Sequence, residues 1–158
     1  MARPASGFSL IELIVTLAIL ALLASVAVPF GQLTQQRNKE AELRLALRKI
    51  RTALDDYRQS VKEGRVDASA DSSGYPPNLD ALWKGVTDKT KPDATQLYFM
   101  RRLPHDPFFP DSSVEPSATW GLRSYASPPD APTTGRDVFD VYSLSNGTGL
   151  NGIPYREW

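Results

Sequence analysis

The chain has 158 residues, 18 basic against 18 acidic side chains, and no cysteine. That balance offers no basic field for nucleic acid and no acidic solvating tail, and the missing thiols exclude disulfide frameworks, thiolate metal sites and cysteine nucleophiles. The length allows one domain with an N-terminal appendage, and most of the 13 prolines and 10 glycines follow residue 60, which makes the C-terminal part loop-rich.

From Phe8 to Phe30 the sequence reads FSLIELIVTLAILALLASVAVPF, 23 residues whose single charge is Glu12. As a helix this is long enough to cross a hydrocarbon core of ~30 Å. A cleaved secretory signal is one use of such a segment, with Ser25 and Ala27 as small residues for a cleavage site. Against it, Arg3 is the only basic residue ahead of the segment, and Glu12 interrupts the apolar run. A plain single-span anchor has no need of Glu12 either. An ionisable group inside a membrane helix costs roughly 2.5–3.5 kcal/mol and by default marks function, with a partner to be found.

The junction Ala5-Ser6-Gly7-Phe8-Ser9-Leu10-Ile11-Glu12 resembles the class III signal of type IV pilins and pseudopilins: a short leader ending in glycine, then Phe, then Glu four residues on. The resemblance implies that a prepilin peptidase cuts the Gly7–Phe8 bond at the cytoplasmic face and N-methylates Phe8. The residue types fit that chemistry. Gly7 has no side chain to obstruct a protease at the backbone. Glu12, one helical turn beyond the new amine, is placed to neutralise such an amine in a low-dielectric interior. The resemblance assigns that partner to a neighbouring subunit, so that the charge pair sets register during assembly. A buried charge without a partner is heavily penalised, which disfavours mis-stacked copies. Arg37 and Lys39 follow the span closely, so the Lys/Arg bias does not by itself orient it, and the resemblance carries the topology.

Pro29 removes one backbone hydrogen bond and is expected to kink or loosen the helix without ending it. Beyond it, Leu43, Leu47, Ile50, Leu54, Tyr57 and Val61 are spaced 4, 3, 4, 3, 4 and form an apolar helical seam, with Arg44, Arg48, Arg51, Asp55, Arg58 and Lys62 off it. Gly64 is the expected stop, with Lys62 near the negative helix end. The seam is short for a coiled coil and is expected to pack on the protein's own sheet. Its charged flank is expected to be solvated or to pair across subunits.

Residues 65–78 read as a polar loop, after which Asn78 is expected to cap a short helix carrying Leu79, Leu82 and Trp83. Prolines 104, 107 and 110 exclude a long helix or central strand from LYFMRRLPHDPFFP. Strand-like runs follow at Trp120–Ala126 and Val138–Leu144, separated by SPPDAPTTGRD. Glycine-rich NGTGLNGIPYREW closes the sequence, with Tyr155 and Trp158 expected to pack it down. The fold class is therefore α+β: a pilin-like long N-terminal helix packed on a small C-terminal antiparallel sheet. Its expected parts are a leader (1–7), a transmembrane and polymerisation helix (8–30), an amphipathic continuation (31–64) and a periplasmic globular domain (65–158).

Tyr75-Pro76-Pro77 with Leu79 and Leu82, Leu103-Pro104-His105-Asp106-Pro107-Phe108, and Val141-Tyr142-Ser143 through to Trp158 are similar to segments of the G-type major pseudopilin of type II secretion. That resemblance implies a filament subunit in the inner membrane. Its implied partners are further copies of itself, a prepilin peptidase, a platform protein, an assembly ATPase, minor pseudopilins and lipid, with no nucleic acid. A type IV or minor pilin for adhesion, motility or DNA uptake is the closest alternative; a membrane-anchored periplasmic binding domain is another. The G-type resemblance also implies calcium in the loop before the C-terminus. Here Ser145–Glu157 holds Asn146 and Asn151 but no Asp, and Ca²⁺ favours carboxylate oxygens. Calcium in this loop therefore stays an open question, and no metal or other cofactor is assigned. His105 is the sole histidine, so histidine triads and zinc clusters have nothing to build on. Asp106 before Pro107 reads as a turn residue. No acid/base pair with catalytic spacing stands out, and the chain reads as a non-enzyme.

Overall fold

The computed structural model describes residues 7–69, 71–93 and 95–158, with the side chains of residues 26–29 outside the description. Contacts divide the chain into two units, Met1–Asn38 and Lys39–Trp158. One element, α1 (Leu10–Lys62, 53 residues), contributes to both.

The ends of α1 follow from local chemistry. Ser9 stands at the N-cap: its carbonyl accepts from Leu13 N–H at 3.2 Å and its hydroxyl from Glu12 N–H at 3.2 Å. The helix therefore begins two residues later than Phe8, because Ser9 satisfies orphan amides better as a cap than as a helical residue. At the other end Gly64 has φ +71°, Arg65 N–H bonds Ser60 C=O at 2.9 Å, and Gly64 N–H bonds Val61 C=O at 3.0 Å. These two bonds form a Schellman motif, and the left-handed residue it needs is the glycine expected to stop the helix.

In the second unit the apolar seam is the centre of the core. Leu43, Leu47, Ile50, Leu54 and Tyr57 are buried together with Ala46 and Ala53, which let neighbouring elements approach closely. Leu79, Leu82, Leu103, Trp120, Val138, Val141 and Tyr155 complete the same cluster. A short helix α2 (Asp80–Trp83) delivers Leu82 to it. Asn78 Oδ1 accepts from Ala81 N–H at 3.1 Å, so the expected cap bond forms although the helix proper begins at Asp80.

The expected small sheet is two separate antiparallel pairs. The first joins β1 (Val86–Thr87) to β2 (Gln96–Leu97). The second joins β3 (Trp120–Arg123) to β4 (Asp140–Ser143), with Trp120 opposite Ser143 and Arg123 opposite Asp140. Gly121 faces Tyr142 across this pair, and a Cβ there would lie 2.3 Å from the tyrosine ring; glycine lets the ring cover the strand. β3 and β4 are shorter than the strand-like runs that announced them, and no such run announced β1 and β2. Trp120–Ala126 loses its last three residues to a turn in which Ser124 N–H bonds Thr133 C=O at 3.0 Å. Val138 is held instead by Pro76, its N–H donating to the proline carbonyl at 2.8 Å.

Candidate functional site

The chemistry-bearing residues expected at the N-terminus sit where the chain enters α1. Gly7 lies outside the helix and is exposed, and among the described residues a Cβ built on it meets nothing within 4 Å beyond its chain neighbours. Phe8 is 81% exposed. Met1–Ser6, the rest of the expected leader, lie outside the described residues.

Glu12 is the third residue of α1, and its N–H is the one that the Ser9 hydroxyl caps. An acidic side chain in a first helical turn is stabilised by the amides exposed there, which gives Glu12 a local helix-starting role. This feature was not part of the sequence reading, although Ser-x-x-Glu ahead of an apolar run is a capping-box signature. Among the described residues Glu12 has no ion pair, and its side chain is exposed.

Around and beyond Glu12 the helix surface is apolar on every side. Leu10, Ile11, Leu13, Ile14, Val15, Leu17, Ile19, Leu20, Leu22 and Leu23 are all exposed. The polar groups in this stretch are satisfied internally: Thr16 donates to Leu13 C=O at 2.9 Å and Ser25 to Leu22 C=O at 2.7 Å. Bonds of that kind let hydroxyl residues enter hydrocarbon at little cost. A long apolar surface with its hydrogen bonds closed fits a transmembrane anchor. The helix assignment runs through Pro29, but the side chain expected to kink it lies outside the described residues.

Comparison with known proteins agrees with this geometry. Residues 2–28 match the family described as "Prokaryotic N-terminal methylation motif". The chain is 27% identical over 157 residues to the type II secretion system core protein G of Dickeya chrysanthemi, covering 96% of this chain and 95% of the relative. It is likewise 27% identical over 138 residues to the protein of that name from Klebsiella michiganensis, covering 84% and 89% respectively. The chain thus carries a prokaryotic N-terminal methylation motif and is similar along most of its length to these core proteins. No solved structure matches it. The relatives are secretion-system core proteins, and neither of their names denotes an enzyme.

The motifs of the globular domain serve structure. Asp106 is buried, its Oδ1 accepts from Phe108 N–H at 2.8 Å, and its Oδ2 accepts from the Ser143 hydroxyl at 2.6 Å. It is a turn residue, as expected, that also fastens the proline-rich crossing to β4. His105 Nε2 is 2.8 Å from Val114 C=O. Among the described residues no group of three or more His, Cys, Asp or Glu side chains is disposed to hold a metal.

The charged flank of α1 is less solvated than expected. Arg51 donates through Nε to Asp140 Oδ1 at 2.7 Å and through Nη2 to the backbone oxygen of Trp158 at 2.8 Å. Arg58 bonds the Tyr75 hydroxyl at 3.1 Å and lies over its ring at 4.9 Å. Two carboxylates escaped the sequence reading altogether. Asp88 is fully buried; it accepts from Thr90 N–H and hydroxyl at 3.0 and 2.6 Å and pairs with Arg65 at 2.9 Å. Glu40 is buried on α1 against the C-terminal loop. Nothing local distinguishes either from a solvated acid; only Asp88-x-Thr90, an Asx-turn pattern, carried a hint.

Proposed function

We propose that this chain is a pseudopilin subunit of a type II secretion system, cut by a prepilin peptidase at Gly7–Phe8, N-methylated on Phe8 and polymerised into a periplasmic filament that drives protein export. The observation that carries the proposal is a helix surface apolar on all sides, begun by a Ser9 cap that follows an exposed Gly7 and Phe8. Together with the methylation motif at residues 2–28 and the near full-length similarity to core protein G, it favours an assembling subunit over an inert anchor.

The steps follow from solvation. The uncut chain is held in the inner membrane by residues 8–30. Cleavage exposes a positive amine on Phe8 within four residues of Glu12. In water such charges interact weakly, but in hydrocarbon an unpaired carboxylate is costly, so extraction into a filament proceeds only where another copy's amine meets it. Packing of apolar helices then replaces lipid contacts with contacts between copies. Pro29, lacking an N–H, gives the helix one place to bend during that packing. Partners in this reading are the peptidase, a platform protein, an assembly ATPase, minor pseudopilins and the bilayer, with residues 65–158 in the periplasm.

Mass spectrometry of the mature chain purified from membranes tests the first step. The expected N-terminus is methylated Phe8. An intact Met1, or a start near Val28, overturns the proposal.

A further inference from the structure

Glu40 is 4% exposed, an unusual place for a carboxylate. Its Oε1 accepts from Leu150 N–H at 2.8 Å and from the Tyr155 hydroxyl at 3.1 Å, and its Oε2 lies 3.7 Å from Arg44 Nη2. Arg44 in turn stacks over the Trp158 ring at 4.2 Å. We infer that Glu40 is the built-in anion that closes the C-terminal loop, residues 144–158, and that the loop closes without a metal ion.

The argument is one of polarity. A loop folded round a cation turns oxygens inward, about six to eight of them for calcium, commonly with carboxylates among them. This loop turns donors inward, an amide and a hydroxyl, toward a negative charge supplied by α1. Several of its own oxygens are committed elsewhere. Gly147 C=O accepts from Tyr155 N–H at 3.0 Å, Gly149 C=O from Gly152 N–H at 2.8 Å, and Ile153 C=O from Gly149 N–H at 2.9 Å. Asn151 Oδ1 accepts from Ile153 N–H at 3.1 Å, and Ser145 Oγ accepts from Gly147 N–H at 3.2 Å. The one side-chain carboxylate in the segment, Glu157, is exposed and lies 4.0 Å from Arg156. Calcium, which the G-type resemblance implied for this loop, does not fit that donor set. Arg44 beside Glu40 adds a positive field that repels a cation from the same place. Glu40 is thus a positioning residue, doing with hydrogen bonds what a bound cation would do with coordination.

The test uses the full chain in detergent, before any assembly, so its outcome is separate from that of the filament proposal. Chymotrypsin cleavage after the half-exposed Leu144 and Leu150 reports loop opening, and circular dichroism reports the thermal midpoint. In the wild type both are expected to be the same in millimolar calcium and in EGTA. Glu40→Gln is expected to be cleaved in the loop several-fold faster in both conditions. Tyr155→Phe keeps the ring that stacks on Phe108 and loses only one donor, so a smaller acceleration is expected. A wild-type midpoint raised by calcium, or loop cleavage slowed by it, overturns the inference. So does a Glu40→Gln protein cleaved at the wild-type rate. Should Glu40→Gln fail to fold, Tyr155→Phe decides, and wild-type cleavage in that variant overturns it.

Discussion

Three carboxylates show how the same side chain is put to different uses by its surroundings. Glu12 sits in an apolar run with no ion pair among the described residues, while Glu40 and Asp88 are buried with donors around them. Because the helix start keeps its Ser9 cap without the Glu12 carboxylate, while the proposed filament needs that charge, Glu12→Ala is expected to insert and to be cleaved normally yet form no filaments. Membrane fractionation with electron microscopy of sheared filaments checks this, and normal filaments from the variant would refute the charge-pair account. Asp88 lends itself to a pH experiment. The Thr90 hydroxyl bond first, then Arg65 and the Thr90 amide, lower its pKa from 3.8 to about 2. A folded pKa below the unfolded one means that the unfolded chain binds the proton more readily between those two values. The Asp88 contribution is therefore complete above pH 3.8 and is lost as pH falls toward about 2. Asp88→Asn should lower the thermal midpoint near neutral pH, and its deficit relative to the wild type should shrink across that acid window.

Elements form where local rules and packing agree, and α1 is the clearest case. A serine cap starts it, an apolar surface and then an apolar seam carry it, and a left-handed glycine ends it. Each of those signals lies within a few residues of the feature that it controls. Gly64→Ala puts a Cβ at φ +71°, which costs about 1–2 kcal/mol, so the denaturation midpoint of the purified chain should fall accordingly. An unchanged midpoint would mean that the helix end relaxes without its Schellman bonds. The strands were less legible. β1 and β2 have two residues each, too few to show alternation, and they exist because Asp88 N–H finds Thr95 C=O at 2.8 Å. β4 was legible because the alternating burial of Asp140–Ser143 places Val141 and Ser143 inward.

At the scale of the whole molecule, the unit Lys39–Trp158 is built round one face of α1, and Ile50, fully buried, lies in the middle of that face. Ile50→Ala removes a methylene and two methyls from a filled space, at a cost of about 2–5 kcal/mol. Chemical denaturation followed by the tryptophan signal should show that loss. A destabilisation under about 1 kcal/mol would mean that the seam is not the centre of the core. The same unit draws its polar fastenings from far apart: Arg51 joins β4 to Trp158, and Arg65 joins the helix end to Asp88. Of these carboxylates Asp88 is fully removed from water, which strengthens its bond to Arg65, and each bond ties together segments far apart in sequence.

The sequence by itself determined the membrane-length helix, the N-terminal methylation motif, the core seam of α1 and its glycine stop. Solvent polarity and short-range backbone chemistry dictate all of these, and a periodicity or a motif exposes them. Only the tertiary structure decided which charges turn inward. Glu40 and Leu150 are 110 residues apart in sequence, and Arg51 and Asp140 are 89 apart. On the polar flank of a helix a solvated acid and a buried one have the same neighbours in sequence. The difference arises when folding removes water from one of them and delivers a distant amide in its place.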